Sequence, residues 1–136
     1  VNRAAYILAT AFHESDRFRT MEEYASGAAY EGRKDLGNVQ AGDGKRFMGR
    51  GLIQVTGRTN YEAVSRALGI DAVASPDVLE SPLYASLSAG WFWSSRNLNA
   101  LADEGDMRKL TRRINGGYNG LDDRLARYEI ALSALA

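Results

Sequence analysis

The chain has 136 residues, of which 45% are hydrophobic and 25% are charged, and its 17 basic and 17 acidic side chains cancel. This length suits one domain with a single core and is too short for two ordinary domains. The balanced charge argues against nonspecific nucleic-acid binding, which depends on an excess of Lys and Arg. The absence of cysteine excludes disulfides and thiolate metal sites.

No apolar run approaches the ~20 residues of a membrane helix, so we expect no membrane insertion. No basic segment followed by an apolar run marks a signal peptide, and the lack of cysteine favours synthesis and folding in the cytoplasm. The sequence begins within a predicted helix, so a signal segment or a binding module could precede Val1.

The first half of the chain predicts one helix followed by loops. Regularly spaced apolar side chains predict a helix over residues 2–14 that stops near Ser15 and Asp16. Residues 15–46 are rich in glycine and polar side chains, which indicates turns with at most a short pair of strands. The apolar stretch 52–56 predicts a strand, so we expect a small β region near residues 30–57.

The second half predicts further helices, each marked by a capping residue or a terminating glycine. They cover residues 59–68 before Gly69, a short turn after Ser75-Pro76, residues 82–96 after Ser81-Pro82, residues 107–115 between Asp106 and Gly116, and a last helix from Asp122 and Asp123. The helix over 82–96 is apolar on nearly all sides, so we expect it at the centre. On the last helix we expect a core stripe of Leu125, Tyr128, residues 130–132 and Leu135.

Three glutamates are candidate catalytic groups. Glu14 ends the first helix, and Glu22 and Glu23 follow within ten residues. An unbroken helix would place Glu14 and Glu23 roughly 13–14 Å apart and facing different ways, so they can share a cleft only if the helix ends between them. Two carboxylates across a cleft are what acid/base hydrolysis of a glycosidic bond requires. Dry surroundings would raise the carboxyl pKa of Glu14 and suit a general acid, whereas Glu23 or Glu22 would stay ionised and activate water. Surface acids with no catalytic role are the competing interpretation.

Other kinds of site are poorly supported. His13-Glu14 begins an HExxH zinc motif, but Arg17 stands where the second histidine is needed, and His13 is the only histidine in the chain. The phosphate-loop and nucleophile-elbow spacings are absent. We therefore expect no metal and no cofactor, and a packed His13 that hydrogen-bonds within the cleft. A local basic cleft remains open, because Lys45, Arg46, Arg50 and Arg58 have no acid among them.

The aromatic residues fall into two groups. Tyr24, Tyr30, Phe47 and Tyr61 stand beside glycine or polar residues and could stack on sugar rings. The run 91–93 lies on the apolar helix and is better explained as core.

Four motifs in order resemble a known family. They are His13-Glu14-Ser15 with Glu23 nine residues after Glu14, GRGLIQVTGRTNY at 49–61, AGWFWSS at 89–95, and INGGYNG at 114–120 followed by Arg124. Together they resemble family 19 glycoside hydrolases, the plant-type chitinases with their bacterial and phage relatives. The resemblance covers residues 3–130, and the sequence of residues 30–58 is closest to that of the phage endolysin and bacterial branch.

The resemblance implies a single lysozyme-like catalytic domain over residues 1–136, mainly α-helical (α+β) with a substrate cleft. It implies that Glu14 is the general acid, that Glu23 rather than Glu22 is the general base, and that the Thr56 hydroxyl holds the attacking water. The substrate-binding residues that it implies are His13, Gln54, Asn60, Tyr61, Asn115 and Arg124. This chain departs from plant enzymes in having Thr56 for a common serine, Asn119 for a glutamate, no disulfides and fewer sugar-binding loops, so we expect a shorter and more open cleft.

The function expected from this resemblance is inverting hydrolysis of β-1,4 bonds in peptidoglycan, as an endolysin-type muramidase or glucosaminidase. A chitinase is the alternative, followed by a glycan-binding module without activity and by a toxin delivered to other bacteria. We expect a monomer whose partner is the polysaccharide and which acts on the cell wall or in the periplasm after release.

Overall fold

The computed structural model describes residues 1–136 and is built almost wholly of helices. The seven α-helices are α1 (Asn2–Glu14), α2 (Asp43–Arg46), α3 (Arg58–Leu68), α4 (Pro82–Ser95), α5 (Leu98–Glu104), α6 (Met107–Asn115) and α7 (Leu121–Leu135), with 3-10 segments at Ala28–Tyr30, Lys34–Leu36 and Pro76–Glu80. The predicted mainly α-helical class is confirmed. Two helices, α2 and α5, have no counterpart among the predicted helices. None of the helices combines the length and the apolar composition needed to cross a membrane.

Four of the predicted capping residues act as expected. Gly69 and Gly116 both adopt the left-handed conformation that ends a helix, as predicted. Ser81 and Asp106 accept hydrogen bonds from backbone N–H groups in the first turns of α4 and α6. Ser75 makes no such bond, so its predicted capping role is wrong.

Two apolar clusters form the core, and α4 contributes to both. The larger cluster joins α1, α4, α5 and α6, and Phe92 and Trp93 belong to it. The smaller cluster surrounds α3, and Trp91 packs against both. Helix α4 is nevertheless buried on one side only, because Leu83 and Leu87 on its outer side are exposed.

Helix α7 packs along α1 but buries little of its predicted apolar stripe. Leu125, Ile130 and Leu135 are exposed, so the predicted stripe is largely wrong. The reason is that α7 makes its main contacts with α1 and α6 alone, which leaves its outer side uncovered. The one fully buried residue of α7 is the charged Arg124, which faces α1.

The predicted β region reduces to two isolated bridges, between Glu22 and Arg50 and between Arg50 and Val55. Arg50 and Val55 exchange both backbone hydrogen bonds, at 3.1 and 2.8 Å. This exchange closes a tight loop whose intervening residues are turns, so residues 52–56 do not form the predicted strand. The loop is held from outside as well, because Gly51 donates its N–H to the Met21 carbonyl at 2.7 Å.

The basic cleft that the sequence leaves open over residues 45–58 does not form, because partners distant in sequence engage its three arginines. Arg50 donates to the Glu80 carboxylate at 2.9 Å, and Arg58 donates twice to Asp43 at 2.8 Å. Arg46 donates to the backbone carbonyls of Val73 and Ala74.

Replacing Asp43 by Asn tests the second of these ion pairs. The hydrogen bonds from Arg58 hold the pKa of Asp43 below its usual value. The pair therefore stabilises the fold above the unfolded-state pKa of about 4, and this contribution is lost as the pH falls through the lower folded-state pKa. Asp43→Asn should lower the free energy of unfolding at pH 7 by about 1–3 kcal/mol in urea titrations, because the partly buried Arg58 guanidinium loses its charged partner.

The control is Asp35→Asn, which breaks the exposed pair with Arg33 and should leave stability unchanged. The difference between the Asp43→Asn variant and the wild type should shrink as the pH falls below the folded-state pKa. Equal stabilities at pH 7 would contradict the assignment.

Candidate active site

A left-handed turn ends α1 and reverses the chain between the two predicted catalytic carboxylates. Asp16, Arg17 and Phe18 have φ angles of 48°, 64° and 61°. Each such residue costs roughly 1–2 kcal/mol when it is not glycine. Part of this cost is offset by Ser15, whose Oγ accepts from the Phe18 N–H at 2.9 Å, and by the edge-on contact of Phe18 with Phe12, with ring centroids 5.1 Å apart. The predicted helix stop is therefore confirmed.

The reversal brings both carboxylates to one open cleft. A cavity of about 410 Å³ is lined by His13, Glu14, Asp16, Thr20, Glu23, Tyr24 and Gln54. Its lining is almost wholly polar, as expected for a site that holds a hydroxyl-rich ligand. A more apolar pocket between α1 and α7 contains neither carboxylate.

Glu14 is held by a buried arginine. The Arg124 Nη2 donates to Glu14 Oε1 at 2.5 Å, and the Arg124 Nε donates to the Asn119 carbonyl at 3.1 Å. The Arg124 side chain is 1% exposed and that of Glu14 is 19% exposed. The predicted dry, apolar surroundings of Glu14 are therefore wrong, because its nearest polar partner is a cation. Arg124 lies behind Glu14 rather than on the cleft surface, so it positions the carboxylate and does not contact the substrate.

Glu23 is fixed by two hydrogen-bond donors. The Gly49 N–H donates to its Oε1 at 2.7 Å, and the Tyr30 hydroxyl donates to its Oε2 at 3.0 Å. Burial, and then the contact with Glu23, raise the pKa of Tyr30, so this hydroxyl remains a donor at neutral pH. Gly49 packs closely against Gln54, because a Cβ atom at position 49 would lie 2.7 Å from Gln54 Oε1 and would displace that side chain.

Glu22 points to another part of the molecule. Its carboxylate lies 3.9 Å from the Arg50 Nε, beside Glu80, and it does not line the cleft. Of the two adjacent glutamates, only Glu23 shares a cavity with Glu14.

His13 forms the wall of the cleft on the side of α7. Its Nδ1 lies 2.7 Å from Asp123 Oδ2, and this hydrogen bond is the main reason why the pKa of Asp123 lies below its usual value. Gly120 packs directly on the imidazole, because a Cβ atom at that position would lie 2.4 Å from Nε2. The packed histidine expected from the sequence is thus observed.

The remaining predicted site residues are dispersed. Gln54 lines the cleft, and Asn60 donates to the Thr56 carbonyl at 2.8 Å. Asn115 is exposed at the end of α6, outside the cavity lining. Tyr61 is 0% exposed and donates its hydroxyl to the Met48 carbonyl, so it cannot contact a substrate and its predicted binding role is wrong.

Of the aromatic residues expected to stack on sugar rings, some are buried and some are exposed. Phe47 is fully buried like Tyr61, so neither ring can stack on a sugar. Tyr24 is 77% exposed at the rim of the cleft. The supporting roles of Tyr30 and Asp123 were not predicted. No short-range spacing signals the contact of Asp123 with His13, because 110 residues separate the partners.

Comparison with known proteins gives consistent matches. The model of one family, glycoside hydrolase family 19, described as chitinase class I, matches residues 8–102. A family 19 domain-containing protein of Haemophilus influenzae is 37% identical over 82% of this chain and 54% of its own length. An endochitinase of Arabidopsis thaliana is 40% identical over 83% of this chain and 39% of its own length. The chain thus spans about half or less of the length of these relatives.

Solved structures share the fold. Chitinase C from Streptomyces griseus superposes with a TM-score of 0.78 at 24% identity, over 97% of this chain and 59% of that one. A class IV chitinase from Zea mays gives a TM-score of 0.80 at 25% identity, over 97% of this chain and 68% of that one.

The packing of Gly120 on His13 can be tested with a matched pair of substitutions. Gly120 and Gly69 have nearly equal φ angles of 71° and 68°, but only Gly120 has a neighbour in the way of a Cβ atom. Each Gly→Ala change should cost about 1 kcal/mol of conformational energy. Only Gly120→Ala should also displace the imidazole, which would be seen as changed chemical shifts of the His13 ring protons in NMR spectra. Unchanged ring-proton shifts of His13 in Gly120→Ala would contradict this packing.

Proposed function

The chain belongs to glycoside hydrolase family 19, and we therefore propose that it hydrolyses β-1,4 bonds between N-acetylated amino sugars. The observation that carries the proposal is the cleft that holds both Glu14 and Glu23. Each carboxylate is fixed by its own partners, Arg124 on one side and the Gly49 N–H with Tyr30 on the other. Glycoside hydrolysis needs two carboxyl groups in such separately fixed positions.

Glu14 acts as the general acid in this proposal. Arg124 engages its Oε1, which leaves Oε2 to protonate the oxygen of the leaving sugar. The guanidinium then stabilises the carboxylate that remains after the proton has been transferred. This arrangement replaces the apolar environment expected from the sequence with a permanently charged hydrogen-bond donor.

Glu23 acts as the general base and directs water to the opposite face of the sugar ring. Its two hydrogen bonds fix the orientation of the carboxylate and leave lone pairs free, because an ionised carboxylate has about four acceptor positions. Gln54, which lines the same cleft, supplies amide groups to an N-acetyl sugar, and the Thr56 hydroxyl is proposed to hold the water. Attack from the face opposite the leaving group inverts the anomeric carbon.

Peptidoglycan is the substrate that we propose, with chitin as the alternative. Peptidoglycan carries a lactyl peptide on alternate sugars and needs an open cleft. The cleft rim supports this substrate, because Tyr24 and Asp16 line the cavity and are both exposed to solvent. The names of the plant relatives favour chitin. We further propose that the protein acts as a monomer on the cell wall after its release from the cytoplasm.

Parallel digestion of purified peptidoglycan and colloidal chitin, with products identified by mass spectrometry, separates these substrates. Muropeptides released from peptidoglycan with chitin untouched would support the proposal and identify the bond. Chitin oligomers alone would establish the alternative. Activity on neither polymer would contradict hydrolysis and favour a glycan-binding module.

Conservative substitutions test the two carboxylates. Glu14→Gln and Glu23→Gln should each lower turnover at least about 100-fold, because each removes a proton-transfer group. Glu22→Gln should retain most of the activity, since that side chain lies outside the cleft. Unfolding should be measured alongside, because Glu14→Gln also removes the charge that balances Arg124. Near wild-type turnover in a folded Glu23→Gln variant would contradict the assignment.

A further inference from the structure

One face of α6 is strongly cationic. Arg108, Lys109, Arg112 and Arg113 are all exposed, and the helix contains no acidic residue. At about 100° per residue these four side chains cover an arc of roughly 140°. The opposite side carries Met107, Leu110, Thr111 and Ile114, which are turned to the core. We refer to residues 108, 109, 112 and 113 as the cationic face.

No carboxylate neutralises the cationic face. None of its four residues lies within 4 Å of an acidic group, whereas the buried Arg50 and Arg124 and the partly buried Arg58 are all paired. Asp106, at the start of α6, is used to cap the Lys109 N–H. In a chain with zero formal net charge, four unpaired cations on nine residues create a local positive field that attracts anions.

A short loop connects the cationic face to the cleft. The Arg108 guanidinium lies 4.2 Å from the centre of the Tyr118 ring, and hydrogen bonds from Arg112 and Arg108 lower the pKa of Tyr118. Two residues later, Gly120 packs on His13 in the cleft wall. Asn119 lies between Tyr118 and Gly120, and its carbonyl accepts a hydrogen bond from Arg124, the residue that also donates to Glu14. The cationic face therefore belongs to the same structural unit as the cleft wall.

We propose that the cationic face binds carboxylates carried by the peptidoglycan strand that occupies the cleft. This inference rests on the proposed function and deepens it, because it selects between two glycans. Chitin is uncharged and offers nothing to this surface, whereas peptidoglycan carries lactyl-peptide carboxylates along its length. Guanidinium groups match carboxylates with two parallel hydrogen bonds. The link through Tyr118 and Gly120 favours an anion on the bound strand over an anion on a separate polymer.

The test compares two triple variants in sedimentation binding to purified peptidoglycan freed of secondary polymers. Arg108→Gln/Arg112→Gln/Arg113→Gln removes three charges from the cationic face. Lys34→Gln/Lys45→Gln/Arg66→Gln removes three exposed charges from other elements. The first variant should bind about tenfold more weakly at low salt and lose most of the salt dependence, whereas the second should bind like the wild type. Thermal unfolding should be unchanged in both, because all six side chains are exposed.

Two further arms make the result specific. The charge-retaining variant Arg108→Lys/Arg112→Lys/Arg113→Lys should recover most of the binding. Peptidoglycan whose carboxylates have been converted to methylamides should be bound equally by the wild type and the Gln variant.

The outcomes separate this inference from the proposed function. Equal binding of peptidoglycan by the wild type and the Gln variant would overturn the proposed binding role of the cationic face, whichever glycan the enzyme digests. A difference that appears only when teichoic acid is retained, or only with DNA, would assign the face to a phosphate polymer and would also overturn the inference. Failure to digest any glycan would overturn the proposed function. The sedimentation comparison would still test the cationic face, because binding requires no turnover.

Discussion

The ion pair between Glu14 and Arg124 is the interaction on which the site depends. Arg124 is the largest fully buried side chain of the protein, and its Nη1 atom has no hydrogen-bond partner. Its charge is therefore balanced by one carboxylate, at 2.5 Å. The pair joins the last residue of α1 to the first turn of α7, so the packing of these two helices and the position of Glu14 are set together. A buried pair adds little net stability compared with apolar packing, but breaking it is costly. The residue that we assign to proton transfer is thus also a structural residue.

Glu23 is placed by a different means, in which backbone groups dominate. The segment before it pairs with the tight loop around Arg50 through a few single hydrogen bonds rather than a β-ladder. Arg50 connects this loop to the rest of the molecule through Glu80 and the Tyr61 hydroxyl. The buried Tyr61 therefore supports the base at a distance, although it cannot contact a substrate. The two sides of the cleft are consequently held by separate networks.

Local signals in the sequence predicted most helices, because caps and terminating glycines such as Ser81, Asp106 and Gly69 act within one turn. Residues 52–56 have the composition of a strand. The backbone hydrogen bonds between Arg50 and Val55 instead close this segment into a turn, which composition alone does not predict. The burial of Tyr61 and the exposure of Ile130 depend on which elements pack together. The environment of Glu14 was predicted wrongly for the same reason, because Arg124 lies 110 residues away. The zero net charge of the chain also gave no indication of the cationic face of α6, because a net charge does not show where the charged residues lie.

The most direct test of the central claim is the anomeric configuration of the first product, followed by proton NMR before mutarotation equilibrates it. A general acid and a water-activating base acting from opposite faces of the sugar ring predict that cleavage of a β-1,4 bond releases the α-anomer first. Initial release of the β-anomer would mean retention through a second displacement. That result would contradict the roles assigned to Glu14 and Glu23.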